Sequence, residues 1–172
     1  MKALLVIDVQ KGFTKGYESL VNETAKLAEH FSSEHGKVIA FQHIDSTESS
    51  PIEAGTEGSE IHESITASAD VIIKKKYPIS FKETELQAYL DEHNISKLYI
   101  TGFNMEFCIL FTSIAAADRG YDVTVIEDLC GSVNTDDTYE MPGLDITDFL
   151  GTVIDWSGVI KNEYLEETGF NL

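Results

Sequence analysis

Three reactive side chains stand where predicted strands end or a predicted helix begins. Asp8 comes directly after the apolar run 3–7, the lysine run 74–76 ends a later apolar segment, and Cys108 lies six residues after Gly102. In an open α/β sheet, the functional site lies outside the carboxyl ends of the strands. We therefore expect a carboxylate, an ammonium group and a thiol to converge at one edge of the sheet. This set suits nucleophilic chemistry by the thiol.

Cys108 stands in the first turn of a predicted helix. A thiol there lies near the positive end of the helix dipole and near free backbone N–H groups, which lower its pKa and can hold an oxyanion. Free cysteine is also among the most buried residue types, so a packed thiol is the alternative interpretation. Cys130, after the fifth predicted strand, has no acid–lysine pair implied near it and is predicted to be a packed thiol.

Asp8 needs a partner because a lone carboxylate is costly to bury. A lysine from a neighbouring strand end is the obvious partner, although the pattern leaves a helix cap or a metal-binding role open. Successive side chains of a strand point to opposite faces, so Lys75 is expected to point away from Lys74 and Lys76.

Strands alternate with helical patterns, which predicts an α/β fold: a three-layer α/β/α open sandwich with a mostly parallel, Rossmann-like sheet, in one domain over residues 1–172. The predicted strands are 3–7, 37–42, 70–73, 98–101 and 122–126, and the predicted helices are 18–35, 83–92 and 106–119. Residues 43–59 are predicted to be a long polar loop. After Asn134 the pattern weakens to a helix at 146–154, a short strand at 159–160 and a terminal helix from Asn162.

Composition excludes several classes of partner. The 172-residue chain has 12 Lys+Arg against 30 Asp+Glu, a formal net charge of −18, so a nucleic-acid backbone would be repelled and no nucleic acid is expected. No apolar run approaches the roughly 20 residues that span a bilayer, and the N-terminus lacks the long apolar stretch of a signal peptide. With 2 cysteines expected to be thiols, the chain is predicted to be cytoplasmic and without a membrane contact.

The segments around the reactive residues resemble the isochorismatase-like cysteine hydrolase family, which includes nicotinamidases and carbamoylsarcosine amidase. The likeness rests on ALLVIDVQ at 3–10 with Gly12-Phe13, on KKYPISF at 75–81 with Thr84 and Leu86, and on 102–108 with Thr112 and Ala115. Segments 56–62 and 120–128 support it. The likeness covers roughly residues 3–134, and the order of the motifs is specific where each motif alone is not.

The resemblance implies a catalytic triad of Asp8, Lys75 and Cys108, in which Asp8 takes the thiol proton and Lys75 holds Asp8. Lys75 is chosen because the family lysine precedes the phenylalanine of the following turn, here Phe81, by six positions. Lys74 or Lys76 would fit with a shift of one residue.

The resemblance further implies a cis peptide bond between Phe103 and Asn104, with the N–H groups of Asn104 and Cys108 forming an oxyanion hole. Met105 replaces the family's usual threonine, so Asn104 is expected to cap the helix instead. The substrate pocket is predicted to be lined by Gln10, Phe13, Tyr77 and Phe103.

The implied activity is hydrolysis of the C–N bond of a small-molecule amide through a thioester, with no cofactor. The order His43-Ile-Asp45 reverses the Asp-x-His pattern of the nicotinamidase metal site, so no metal is expected. One rival is a non-catalytic binding module whose acidic surface contacts a protein partner. Another is an isochorismatase acting on a vinyl ether, for which a nucleophilic cysteine has no clear task.

A homo-oligomer, dimer or tetramer, is expected on two grounds. Ile109, Leu110 and Phe111 would expose apolar surface on the helix of Cys108. Members of the resembled family also commonly form dimers or tetramers.

Overall fold

The computed structural model describes residues 1–170 and 172, which alternate strands with helices. The strands are β1 (Lys2–Ile7), β2 (Lys37–His43), β3 (Val71–Lys75), β4 (Lys97–Phe103), β5 (Asp122–Gly131) and β6 (Lys161–Glu163). The helices are α1 (Glu18–Ser33), α2 (Glu63–Thr66), α3 (Leu86–Glu92), α4 (Leu110–Asp118) and α5 (Ile146–Trp156), and a π-helical turn, Met105–Ile109, precedes α4. No helix in the described ranges is long and apolar enough to cross a membrane.

The six strands form one sheet in the order β3-β2-β1-β4-β5-β6, and every pairing is parallel. The chain adds β2 and β3 on one side of β1 and then crosses back to add β4, β5 and β6 on the other side. The order therefore reverses between β1 and β4, which is where open α/β sheets bind ligands. The predicted α/β fold with a parallel sheet is confirmed.

Helices cover both faces of the sheet, which explains the continuous apolar strands. Along β1, Leu5 and Ile7 belong to the core cluster that also contains residues of α3, α4 and α5. Leu4 and Val6 belong to the cluster on the opposite face, which contains residues of α1 and α2. Because both faces are dry, the reactive side chains of this domain can lie only at the strand ends or on the outer surface.

Two predictions for the C-terminal region are wrong. The last strand lies at Lys161–Glu163 rather than at 159–160, and a short 3₁₀ turn at Leu165–Glu167 follows it in place of a helix. The cause is tertiary: the carboxylate of Glu127 on β5 accepts hydrogen bonds from the side chains of Asn162 and Tyr164. These contacts hold the segment extended beside β5.

Two other element boundaries differ from the predictions by more than two residues. The helix expected from residue 83 begins at Leu86, because Glu83 has a positive φ of 55° and the Thr84 hydroxyl accepts the N–H of Leu86. The strand expected to end at residue 126 continues to Gly131, after an irregularity in its register with β4. Cys130 therefore lies within β5 rather than after it.

Candidate active site

Asp8 lies where the chain turns out of the sheet after β1. Its φ of 53° is in the left-handed region, which aspartate tolerates better than most residues. The N–H of Asp8 still bonds the carbonyl of Phe41 on β2 at 3.2 Å, while its own carbonyl accepts the N–H of Gln10 at 2.7 Å. This tight turn brings the carboxylate, which is fully buried, over the carboxyl edge of the sheet.

Lys75, the last residue of β3, reaches Asp8 across the end of β2. It is 2% exposed, whereas Lys74 and Lys76 are exposed. Its Nζ donates to Asp8 Oδ2 at 2.6 Å and to Cys108 Sγ at 3.2 Å. Burial alone would lower the pKa of Lys75, but the neighbouring Asp8 and Cys108 raise that pKa overall. The lysine is therefore an ammonium ion held between a carboxylate and a sulfur atom.

Cys108 is the fourth residue of the π-helical turn, a feature common at functional sites. The residue is 8% exposed. Burial, together with the charge of Asp8, raises the pKa of its thiol to about 12, although Lys75 opposes this. The expectation that the helix start lowers this pKa is therefore wrong for the resting site. The thiol holds its proton until a base removes it.

Gly102 lets β4 approach the end of β1. Its φ is 116°, and a Cβ atom at this position would lie 1.9 Å from the carbonyl oxygen of Ile7. A side chain at position 102 would therefore push β1 and β4 apart at their carboxyl ends. Asp8 follows the end of β1, and the turn that carries Cys108 follows the end of β4.

The peptide bond between Phe103 and Asn104 is cis. The carbonyl of Asn104 accepts the N–H groups of Phe107 and Ile109, at 3.0 and 3.2 Å, and so begins the π-helical turn. Asn104 occupies the N-cap position as expected, but its side chain makes no cap hydrogen bond, because its side-chain oxygen accepts the N–H of Val133 at 2.9 Å instead.

A buried pair of hydroxyl groups joins the turn after β3 to α4. The N–H of Ser80 donates to Thr112 Oγ1 at 3.0 Å, and the two hydroxyl oxygens are also 3.0 Å apart. The Thr112 hydroxyl lies 3.2 Å from the carbonyl of Pro78 as well. This contact fixes the turn that follows Lys75 against the helix that follows Cys108.

His43, at the end of β2, is a site residue that the sequence reasoning did not place. Its Nδ1 lies 3.2 Å from Lys75 Nζ. Burial and the charge of Lys75 lower the pKa of the imidazole. The rule that sites gather at the carboxyl ends of parallel strands could have found this residue, because β2 lies between β1 and β3.

The side chain of Gln10, which the sequence predicted for the substrate pocket, bonds the main chain at the end of β2. Its side chain is fully buried, and its amide accepts the N–H of His43 at 2.8 Å and donates to the carbonyls of His43 and Ser59, at 3.1 and 2.8 Å. Gln10 therefore ties the end of β2 to the loop that follows it.

The three aromatic residues predicted for the pocket lie in different environments. Phe103 is fully buried in the core on the α1 side, with ring centroids 5.0 Å from Tyr17 and 6.3 Å from Phe13, so it is a core residue rather than a pocket residue. Tyr77 lines a cavity of about 270 Å³ whose walls include Lys75 and Lys82. Its carbonyl also accepts a hydrogen bond from Lys75 at 3.3 Å.

Asp8, His43 and Cys108 could each offer a metal ligand, and their ligand atoms lie within 4.8 Å of one another. The Lys75 ammonium already lies within 3.2 Å of all three groups, so a positive charge fills the space between them. The carboxylate of Asp45 accepts the N–H of Thr47 in its own loop. These residues do not fit a metal site of the nicotinamidase kind.

Comparison with known proteins identifies the family and the fold of the chain. The isochorismatase domain model matches residues 2–157. The chain is 35% identical over 139 residues to the uncharacterized isochorismatase family protein YddQ of Bacillus subtilis, covering 76% of this chain and 77% of that protein. It is 25% identical over 175 residues to a nicotinamidase of Acinetobacter baylyi, covering 77% and 82%.

Among solved structures, an isochorismatase family protein from Desulfovibrio vulgaris superposes with a TM-score of 0.81 at 24% identity, covering 97% of this chain and 95% of that one. This likeness concerns the fold. The domain match and the relative from Bacillus subtilis concern the family. The chain therefore belongs to the isochorismatase family, a family of hydrolases.

Proposed function

We propose that the protein is a cysteine hydrolase that cleaves the C–N bond of a small amide through a thioester on Cys108. The observation that carries this proposal is the buried Lys75 ammonium, 2.6 Å from Asp8 Oδ2 and 3.2 Å from Cys108 Sγ. It joins a base, a cation and a nucleophile in one site. The nicotinamidase relative, whose name denotes an amidase, supports an amide as the substrate class.

In the first half of the reaction, Asp8 removes the thiol proton as Cys108 Sγ bonds to the carbonyl carbon of the substrate. The carbonyl π electrons move to oxygen, where the N–H groups of Asn104 and Cys108 would stabilise the oxyanion. When the oxyanion collapses, the C–N bond breaks and the leaving amine takes the proton from Asp8. Lys75 remains an ammonium and balances the charge of Asp8.

In the second half, Asp8 accepts a proton from a water molecule as the water oxygen attacks the thioester carbon. The C–S bond breaks, and the thiolate recovers the proton from Asp8. The balance is one amide and one water converted to one carboxylic acid and one amine. The same carboxylate thus acts as base, acid, base and acid in turn.

The buried charges favour catalysis over a binding module. Burying Asp8 and Lys75 costs desolvation free energy that the attraction between the two charges often does not repay. A catalytic role explains why the chain keeps this buried pair. A surface-binding role would leave that cost unexplained. A vinyl-ether substrate would leave Cys108 without a task.

The direct test is a panel of small amides assayed for released ammonia or amine. We expect turnover of at least one compound, loss of turnover in Cys108→Ala, and an acyl adduct on the Cys108 peptide after acid quench of a slow substrate. Cys130→Ala, at a buried thiol inside β5, is the matched control and should retain turnover. Turnover that survives Cys108→Ala, or inactivity across the panel, would contradict the proposal.

We also propose that the protein is a homo-oligomer. Apolar side chains are exposed along α5, at Phe149, Val153 and Trp156, and on the neighbouring turn and α4, at Phe107, Phe111 and Ile114. Ile109, which the sequence placed on this surface, is instead fully buried. Light scattering should give a mass well above the 19.1 kDa of one chain. A measured mass equal to that of one chain would contradict the proposed homo-oligomer.

A cytoplasmic location remains part of this proposal. The reaction requires Cys108 as a reduced thiol, and reducing compartments keep thiols in that state. Fractionation of source cells should find the activity with the cytosol, and recovery in an extracellular fraction would contradict this.

A further inference from the structure

We propose that His43 is a positioning residue, whose neutral imidazole accepts a hydrogen bond from Lys75 and keeps the ammonium between Asp8 and Cys108. The kinetic part of this inference rests on the proposed function. The neutral state of the His43 imidazole does not rest on the proposed function, and it can be measured without a substrate.

The geometry fixes the tautomer of His43. An ammonium group has three N–H donors and no acceptor, so a ring nitrogen 3.2 Å away can only accept. Nδ1 therefore carries the lone pair and Nε2 carries the proton. Asp8 Oδ2, Cys108 Sγ and the carbonyl of Tyr77 also surround Nζ, which makes four acceptors for three N–H groups, so two acceptors share one N–H.

His43 is held firmly enough to act as a fixed acceptor. Gln10 bonds both the N–H and the carbonyl of His43, at 2.8 and 3.1 Å, as a neighbouring strand would. Gln10 is itself buried and bonded to the Ser59 carbonyl. The imidazole thus has a position set by the main chain, whereas the lysine side chain has four rotatable bonds. Removing the acceptor should leave the ammonium freer to move away from Cys108.

The charges around His43 favour the neutral form. Lys75 faces it from β3, Asp8 from the turn after β1, Cys108 from the turn after β4, and Asp45 from its own loop. Burial and Lys75 lower the pKa of His43 below its ordinary 6.5, against the weaker opposing effect of Asp8 and Asp45. Protonation would place two cations 3.2 Å apart and remove the acceptor. Activity should therefore fall as the pH drops through this pKa.

Two substitutions of His43 distinguish the effect of its hydrogen-bond acceptor from the effect of the imidazole ring itself. In His43→Asn, the amide oxygen is the same number of bonds from Cα as Nδ1 and can accept from Lys75, whereas His43→Leu has no acceptor. We expect His43→Leu to lower kcat about ten-fold or more with KM changed less than about three-fold, because a hydrogen bond to a charged group is lost. His43→Asn should keep kcat within about three-fold and stay active at lower pH than the parent, because it cannot be protonated.

His35→Asn, at an exposed position, is the matched control and should leave both constants unchanged. Equal kcat in His43→Leu and the parent, or equal impairment of the Asn and Leu variants, would overturn the inference. Thermal melts confirm that each variant folds, and if His43→Leu does not fold, the Asn variant and the ring measurement decide.

The ring measurement is nitrogen NMR of histidine-labelled protein at neutral pH. We expect Nδ1 of His43 unprotonated and Nε2 protonated, with the signals assigned by their loss in His43→Asn. A proton on Nδ1 would overturn the inference. Absence of turnover with every amide would instead contradict the proposed function and leave the ring result standing.

Discussion

Lys75 is buried between two exposed lysines, and its position makes a direct prediction at the scale of single residues. Lys75→Ala should lower kcat by about 10² or more, because the ammonium that orients Asp8 and balances its charge is lost. Lys74→Ala and Lys76→Ala should change kcat little and alter stability by less than about 0.5 kcal/mol. Steady-state kinetics on the three variants checks this. An inactive Lys74→Ala or Lys76→Ala with an active Lys75→Ala would contradict it.

Asp8→Asn should separate thiol reactivity from hydrolysis. Burial and the charge of Asp8 hold the pKa of Cys108 near 12, and Lys75 lowers that pKa. Neutralising Asp8 therefore favours the thiolate, since the ammonium remains beside it. We expect faster alkylation of Cys108 by iodoacetamide at neutral pH in Asp8→Asn than in the parent, together with loss of amide turnover.

The alkylation rate is followed by mass spectrometry of the Cys108 peptide over a range of pH. Cys108→Ser controls for labelling elsewhere, and buried Cys130, whose pKa burial also raises, should stay unlabelled. In the parent, labelling should grow with pH well into the alkaline range. Slower alkylation of Asp8→Asn would show that the carboxylate activates the resting thiol instead.

At the scale of elements, the contact between β1 and β4 depends on Gly102. Gly102→Ala should lower the free energy of unfolding by about 3 kcal/mol or more, because it combines a positive φ with a methyl group against the Ile7 carbonyl. Gly120 also has a positive φ, of 87°, but a Cβ there meets nothing within 4 Å, so Gly120→Ala should cost only about 1 kcal/mol. Urea unfolding measures both, and equal costs would contradict the steric argument.

The elements that the sequence predicted well are those with a strong local signal. The apolar runs of β1 and β2 can only be strands buried on both faces, and their predicted bounds agree with the structure to within one residue. The predictions failed where tertiary contacts decide, as at Asn162, which is held extended by Glu127, a residue of the neighbouring strand β5 but 35 positions away in the sequence. The weak apolar pattern after Asn134 gave no warning of that contact.

The predicted site shows the same division. Asp8, Lys75 and Cys108 lie together because motif spacing and strand order determine which residues end at one sheet edge. The resting pKa of Cys108 could not be predicted, because it depends on burial that no local pattern records. The bond from Gln10 to the main chain of His43 could not be predicted either, because the two residues are 33 positions apart.

At the scale of the whole molecule, the net charge of −18 opposes the apolar contact proposed for α4 and α5. Two copies of so acidic a chain repel each other, and salt screens that repulsion, with a Debye length that falls from about 10 Å at 0.1 M to about 3 Å at 1 M. We expect the dissociation constant of the oligomer to decrease as salt rises over that range. Sedimentation equilibrium measures it.

Trp156→Glu tests the position of that contact, since Trp156 is 84% exposed at the C-terminal end of α5. The charge should shift the population to single chains at the same protein concentration. Asn22→Glu, at an exposed position of α1 on the other face of the sheet, is the matched control: it adds the same charge and should leave the mass unchanged. Dissociation that increases with salt would instead indicate an interface held by ion pairs.

The buried, protonated thiol of Cys108 has a consequence for the lifetime of the protein in an aerobic cell. Peroxide oxidises thiolates far faster than thiols, and a cysteine kept as a thiolate would be converted to sulfenic and then sulfinic acid between substrates. At 8% exposure and a pKa of about 12, the nucleophile is almost absent until a substrate and Asp8 generate it. The resting protein should therefore survive an oxidant pulse that would destroy an exposed thiolate.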